Sequence, residues 1–547
     1  MNKKLQHITL VLIGVIAFNI LGSIVYHRFD LTHDNRYSLS AITKKISSKI
    51  DNQLLINVYL EGDFPAEFKR LQVETRQYLE ELKTTNKNII VRFINPERIR
   101  ERLVKKGMTA TQLTVEEGGK LSEEIIFPWA EVIYGKKTEI VSLLPTGIMN
   151  SQEEQLQKAI ENLEYGFSNA INTILKSKKQ KIAILRGNGE LEDVYLYSFL
   201  NEVRKKYHLA KFTLDSVEIN PQKTLQELTR FDLAIIAKPT QKFTDKEKQT
   251  IDQYITNGGK TLWMLENTQA DQDSLFTTGK MLAYPRDLNI TDLFFSYGVR
   301  INSSIIKDLY AAKISLATGK IGNQTQFKNL PWFFHPLAIT NPTHPITKNV
   351  SPVRMQFVNQ IDTLQNSIKK TPLIVSSILT QKIGTPKIIE LQEIAKEPKQ
   401  EDYASGPQLF AVLLEGEFTS MYKSRIKPFE TNLYKEKSKL NKMIIVADGD
   451  VGKNQILKGR PHDLSYDKWT NEQFGNKEFL LNSVDYLLDD SGLINLRNKS
   501  LQINNLDKQQ AYNERSFWQF FNIILPLFLL FGFGFGFNYW RKKKYIN

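Results

Sequence analysis

Residues 517–540, near the C-terminus, run for twenty-four positions without a charged side chain and are closed by Arg541, Lys542, Lys543 and Lys544. At about 1.5 Å of helical rise per residue the run reaches roughly 36 Å, enough to cross a hydrocarbon core of about 30 Å. A core helix of a soluble domain rarely lacks a polar face over such a length. The stretch therefore predicts a transmembrane helix over 517–540 and a basic tail over 541–547. Gly532 and Gly536 stand four apart within it. Such a pair forms a small-xxx-small face that admits a second helix closely, or else a glycine-rich surface facing lipid.

The other end carries a similar signal. Leu5 to His27 bear no formal charge and follow Lys3 and Lys4. A cleaved signal peptide would have an apolar core of about 7–15 residues ending at a small-x-small site. The run from Ile8 to Tyr26 is longer and has no clean site of that kind, so residues 1–27 are expected to be a retained anchor. Both spans carry their basic residues on the outer terminal side. The positive-inside rule then predicts a two-pass protein of a bacterial inner membrane, with both termini cytoplasmic and residues 28–516 periplasmic.

Those flanking cations also explain the charge. The net charge is +14, and six of these positive charges lie in the two basic flanks. The rest are spread without a dense basic block or an RNA-binding aromatic motif, which argues against nucleic acid as a partner. Hydrophobic residues make up 41% and charged residues 24% of the 547, an ordinary globular balance outside the ends. No cysteine is present, which excludes disulfides, thiolate zinc sites and a cysteine nucleophile.

Between the spans the sequence divides in two. Residues 28–50 read as a juxtamembrane segment in which Ser40 caps a helix beginning at Ala41. In 51–177, strands are expected at 54–60, 89–94, 125–134 and 138–144, with a helix to about 83, a short one at 97–106 and a long one over 152–176. Leu156, Ile160, Leu163, Phe167, Ala170 and Ile174 place one apolar seam along the last helix. This order is that of a thioredoxin-like fold, but Glu61-Gly62-Asp63-Phe64-Pro65 stands where redox members carry paired cysteines. Residues 178–500 alternate strands and helices, the pattern of a parallel sheet covered on both faces. An α+β insertion is expected over about 267–440, and 501–516 is a polar connector to the last span.

Motifs for chemistry are few. Gly259-Lys260-Thr261 resembles the end of a phosphate loop, but Tyr254 occupies the position of the required first glycine. Gly187, Gly189 and Glu190 follow a predicted strand and precede a helix, where amides and the helix dipole favour an anion. Glu192 and Asp193 would repel a pyrophosphate there, and a plain glycine turn accounts for the same residues. Asp448 and Asp450 sit at another predicted strand end, where ligands of open α/β sheets bind. Two carboxylates could hold a hard cation, although the calcium-loop pattern fails at Gly452 and Lys453; capping of a turn is the other reading. The seven histidines never pair at three- or four-residue spacing, so no metal motif emerges. No catalytic residues, metal or cofactor are implied.

Several segments together resemble one family. They include Asp30-Leu31-Thr32, Arg36-Tyr37-Ser38-Leu39-Ser40, Tyr59 to Leu71, Phe93-Ile94-Asn95-Pro96, Leu163-Glu164-Tyr165, Asp448-Gly449-Asp450 and Asn538-Tyr539-Trp540-Arg541, with Gly475-Asn476-Lys477 and Gly492-Leu493-Ile494 between the last two. In order and number they resemble the gliding-motility ABC-transporter auxiliary proteins, the GldG family, over nearly the whole chain. The resemblance implies an extracytoplasmic subunit acting with a separate permease and ATPase. It also implies a class I glutamine-amidotransferase-like fold for 178–500, without that fold's cysteine nucleophile. The expected function is thus a non-enzymatic, membrane-anchored ABC subunit for gliding or cell-surface assembly. The alternative is a cell-envelope binding module for a glycan, peptide or lipid acting without a transporter.

Overall fold

The computed structural model describes residues 12–16, 38–62, 66–117, 120–144, 152–176, 180–322, 324–489, 491–498 and 508–545. The predicted first span lies outside these apart from residues 12–16, which are helical. The chain forms two units, residues 1–500 and 501–547.

In the first unit Ser40 accepts a hydrogen bond from the Thr43 amide and caps the helix Ala41–Ser47, as its sequence predicts. A four-stranded sheet follows. Strand β1 (Leu54–Val58) pairs in parallel with β2 (Ile89–Phe93) and antiparallel with β5 (Trp129–Tyr134), which pairs with β6 (Lys137–Ser142). The order is β2-β1-β5-β6. The single long strand expected over 125–134 is instead split. Pro128 lacks an N–H and interrupts it. The preceding residues form β4 (Lys120–Ile126), which pairs with β3 (Thr111–Glu117) in a separate hairpin.

The helix Ala66–Thr85 buries Phe68, Leu71, Leu79 and Leu82, and packs against the long helix Gln152–Leu175. All six residues of the predicted seam on the long helix are buried. Tyr78 stacks on Phe167 at 5.6 Å. The long helix thus packs on the neighbouring helix, on β6 and on the turn Leu493–Asn498.

The large sheet begins with β7 (Lys181–Arg186), β8 (His208–Thr213), β9 (Leu233–Ala237) and β10 (Lys260–Met264). These run parallel in the order β8-β7-β9-β10, and β22 (Lys437–Val446) joins β10 in parallel. Every residue of β9 is buried, as a strand covered on both faces requires. One apolar cluster places Ile184, Ile235 and Met264 against the helices Asp193–Lys206 and Asn476–Leu488. The opposite cluster places Leu185, Ile236 and Trp263 against Pro221–Leu228 and Asp245–Thr256.

The inserted region largely extends this sheet. The short β11 (Thr268–Gln269), β12 (Lys280–Pro285) and β20 (Lys387–Glu390) form one side sheet. A second contains β13 (Val299–Asp308), β17 (Asn359–Thr363) and β19 (Thr380–Ile383). The hairpin β14 (Ala311–Ile321) and β15 (Gln324–Thr340), the short β16 (Val353–Arg354), β18 (Lys369–Val375) and β21 (Leu409–Thr419) continue the main sheet beyond β22 by antiparallel pairing.

The helix Asp245–Thr256 is buried on every side from Glu247 onward, despite its polar sequence. Hydrogen bonding resolves this conflict. The Asp252 carboxylate accepts from the Tyr297 hydroxyl at 2.7 Å, the Ser420 hydroxyl at 2.5 Å and the Met421 amide at 3.1 Å. Gln249 exchanges two hydrogen bonds with the Phe429 backbone. Replacing Asp252→Leu would strand three buried donors, so chemical denaturation should show a loss of about 3 kcal/mol or more.

The second unit contains the helix Lys508–Asn513 and the helix Arg515–Tyr545, whose segment 515–544 is long and apolar enough to cross a membrane.

Candidate functional site

Because the strands are parallel, the loops after β7, β9, β10 and β22 emerge on one edge of the sheet. Both pairs of candidate residues read from the sequence lie there. Gly187 and Gly189 hold φ of 118° and 72°, a region that disfavours a side chain. A Cβ at Gly189 would fall 2.1 Å from the Thr240 hydroxyl, and one at Gly187 would fall 2.7 Å from the Asp215 carboxylate. These glycines therefore fit a tight turn locked to the neighbouring loop: the Thr240 and Gln241 amides donate to the Asn188 carbonyl at 2.8 and 2.9 Å. The Glu190 carboxylate accepts from the Asn188 amide at 2.9 Å, taking for itself a donor that an anion would need. Burial pushes the Glu190 carboxyl above its usual range, opposed by its backbone hydrogen bonds.

Asp448 and Asp450 meet residues from two other strand ends. Lys238 follows β9 with φ of 53° and places its ammonium 2.6 Å from Asp450 and 3.2 Å from Glu266, which follows β10. Arg286 reaches Glu266 at 3.0 Å. Carboxylate oxygens of Glu266, Asp448 and Asp450 approach within 4.8 Å of one another, close enough in principle for a metal. The Lys238 ammonium already bridges two of the three. Gly449 makes room for it, since a Cβ there would lie 2.6 Å from the Lys238 Cγ.

Protonation follows from this arrangement. Burial and then the Asp450 charge raise the Asp448 carboxyl well above its ordinary range. Burial also raises Asp450, but Lys238 and Lys453 outweigh it and hold that carboxyl low. Burial would lower Lys238; the charges of Asp450 and Glu266 reverse this and raise it. Asp448 accepts from the amides of Asp450 and Gln356, both at 2.7 Å, so it caps two backbone segments.

Next to this cluster lies a cavity of about 480 Å³, whose lining includes Gln356, Lys453, Arg354 and His335. His335 is 1% exposed, and its Nε2 has no hydrogen-bond partner. Burial first, and then the positive Arg354, lower its pKa to about 3.

Sequence reasoning missed Lys238, Glu266, Arg286 and His335. A signal did exist for the first two: each is a charged residue one or two positions after an apolar parallel strand. For Arg286 and His335 the signal is absent, since a side-sheet strand, β12, and the antiparallel extension strand β15 bring them in. Gly259 stands between a helix and β10, where its absent Cβ would collide with the Tyr254 ring at 2.3 Å. The Gly-Lys-Thr triplet thus enters a strand instead of leaving one. In the second unit a Cβ at Gly532 or Gly536 would meet nothing within 4 Å.

Residues 179–483, more than half of the chain, match a family described as an ABC-type uncharacterized transport system. The chain belongs to this ABC-transporter auxiliary family. Residues 33–133 match a domain of unknown function, DUF7088. An uncharacterized protein of Borreliella burgdorferi is 22% identical over 538 residues, covering 97% of this chain and 96% of the relative. Among solved structures, the mmIFT52 N-terminal domain is similar at 13% identity and a TM-score of 0.32, covering 57% of this chain and 99% of that domain.

Two predictions follow from the cluster and its neighbour. Lys238→Met leaves two buried carboxylates without their bridging cation, and at neutral pH should cost about 3–5 kcal/mol in denaturant unfolding. His335 is neutral in the folded protein and protonates near its ordinary pKa of about 6.5 once unfolded. Its contribution to stability is therefore lost as pH falls from about 6.5 toward 3, by up to about 1.4 kcal/mol per pH unit. The unfolding free energy of His335→Gln should fall less steeply over that window than that of the unaltered protein.

Proposed function

We propose that this chain is a non-enzymatic, membrane-anchored accessory subunit of an ABC system that serves gliding motility or cell-surface assembly. In this reading it is GldG-like, with its large unit in the periplasm and both termini in the cytoplasm. Family membership, combined with an apolar helix at 515–544 that ends in a basic tail, carries the reading. The order of the N-terminal sheet agrees with a thioredoxin-like domain. The doubly covered parallel sheet agrees with an amidotransferase-like one, in which no cysteine is available as a nucleophile. The strand-end residues support a structural role: Glu190 takes up its own loop's amide, and Lys238 neutralises the acidic pair.

A separate permease would supply the membrane pathway and a separate ATPase the energy, because no phosphate loop is formed by this chain's Gly-Lys-Thr triplet. The last helix would meet the permease through its glycine face. Purification in mild detergent should recover a permease and an ATPase with this chain; recovery of the chain alone would refute the proposal. Replacing Gly532→Ile together with Gly536→Ile should reduce that recovery several-fold while leaving the thermal midpoint of the large unit unchanged. Topology has its own test. Asn2→Cys and Asn547→Cys, made singly, would each introduce the chain's only thiol, and both should resist impermeant thiol reagents in intact spheroplasts.

A further inference from the structure

The cavity beside the carboxylate cluster has features that the accessory role does not use. Its walls come from the helix Gln272–Thr278, the β14–β15 hairpin and the two loops carrying Lys453 and Trp469. Three aromatic rings in this lining stand in the open, Trp469 at 62%, Phe327 at 68% and Phe276 at 43% exposure. Aromatic surface of this kind around a concave site provides faces on which a flat or puckered ring can lie.

The polar lining narrows the class of ligand. Arg354 is paired with Asp467, and Lys313 with Glu472 at 2.9 Å. The lining also carries Asp273, Lys453 and Lys468. The Lys453 ammonium lies 3.8 Å from Asp273 and 3.9 Å from Asp450, at the outer limit of an ion pair, so its donors are weakly engaged. The Lys468 ammonium donates to the Ile456 carbonyl at 2.7 Å and lies 4.9 Å from the Trp469 ring centre. At the buried end stands His335 with its Nε2 unpartnered, a group that gains by meeting a ligand hydrogen-bonding atom.

We propose that this cavity binds a small organic anion built on a ring. The ring lies against Trp469, the carboxylate or phosphate meets Lys453, and a polar atom of the ligand bonds to His335. Sugar acids and aromatic acids share this chemistry. The proposal is independent of any transporter and survives if no permease is recovered.

The test uses the full chain in detergent, titrated with glucuronate, glucose 6-phosphate, indole-3-acetate, neutral glucose and inorganic phosphate. Calorimetry and tryptophan emission report binding. At least one ring-bearing anion should bind, with neutral glucose and inorganic phosphate each about tenfold weaker or more. Which anion binds separates a sugar acid from an aromatic one. Lys453→Met should weaken the anion about tenfold, and Trp469→Ala should weaken it and remove the emission change. Trp469 is 62% exposed and the Lys453 side chain 26%, and a retained cooperative thermal transition verifies that each variant is folded. The proposal is overturned if none of the ring-bearing anions binds at millimolar concentration. It is equally overturned if inorganic phosphate binds as well as they do, or if both variants bind like the unaltered chain.

Discussion

The ammonium of Lys238 holds together the carboxyl edge of the large sheet. It bridges Asp450 and Glu266, which follow different strands, and its own backbone amide donates to the Met264 carbonyl at 2.8 Å. Nearby, the Leu191 amide donates to the Ala237 carbonyl at 3.0 Å, so the loop after β7 is tied to the same point. Four chain segments distant in sequence thereby acquire one fixed arrangement. The geometry is demanding: Lys238 takes a left-handed backbone conformation, and Gly449 must lack a Cβ to admit its side chain. A buried ion pair of this kind adds little net stability but strongly penalises any arrangement that separates its members.

These internal contacts also distinguish the strand ends from an open ligand site. In open α/β sheets the carboxyl edge is where ligands bind, because amides and helix termini are left free there. Here Glu190 satisfies the glycine turn from within, and Asp448 is occupied in capping the Asp450 and Gln356 amides. Buried oxygens of Asn188, Glu190 and Asp450 still lack hydrogen-bond partners at that edge, and a further unsatisfied group lies to one side. His335 Nε2 is without a partner, and open aromatic rings surround the cavity that His335 lines.

How far the sequence could be read follows the same division. The alternation of apolar strands and amphipathic helices made the parallel sheet legible, and the six-residue seam of the long helix was legible from spacing alone. Ser40 declared its cap because N-capping is local chemistry. The β14–β15 hairpin and the side sheets were not legible, since antiparallel pairings over long separations leave no periodic mark. Nor was Lys238 visible as the partner of Asp450, 212 residues away. At Pro128 a missing N–H divides what reads as a single strand into two elements with different partners.

The helix Arg515–Tyr545 obeys a different economy from the sheet. In the large unit the apolar residues are covered by neighbours and the polar ones find hydrogen bonds; in this helix Phe528, Phe533 and Phe535 are each more than 70% exposed. Each side chain of that size left in water forgoes about 2 kcal/mol of burial. Across the seventeen large apolar side chains exposed between Phe517 and Trp540 the penalty far exceeds the net stability of a typical domain. A helix of this composition requires an apolar surrounding, and its own unit does not provide one. Pro526 fits the same conclusion, because helical proline is tolerated in membranes where neighbouring groups or ordered water satisfy the carbonyl it frees. Under the proposed membrane anchoring, the open face at Gly532 and Gly536 is where a second helix backbone would come close.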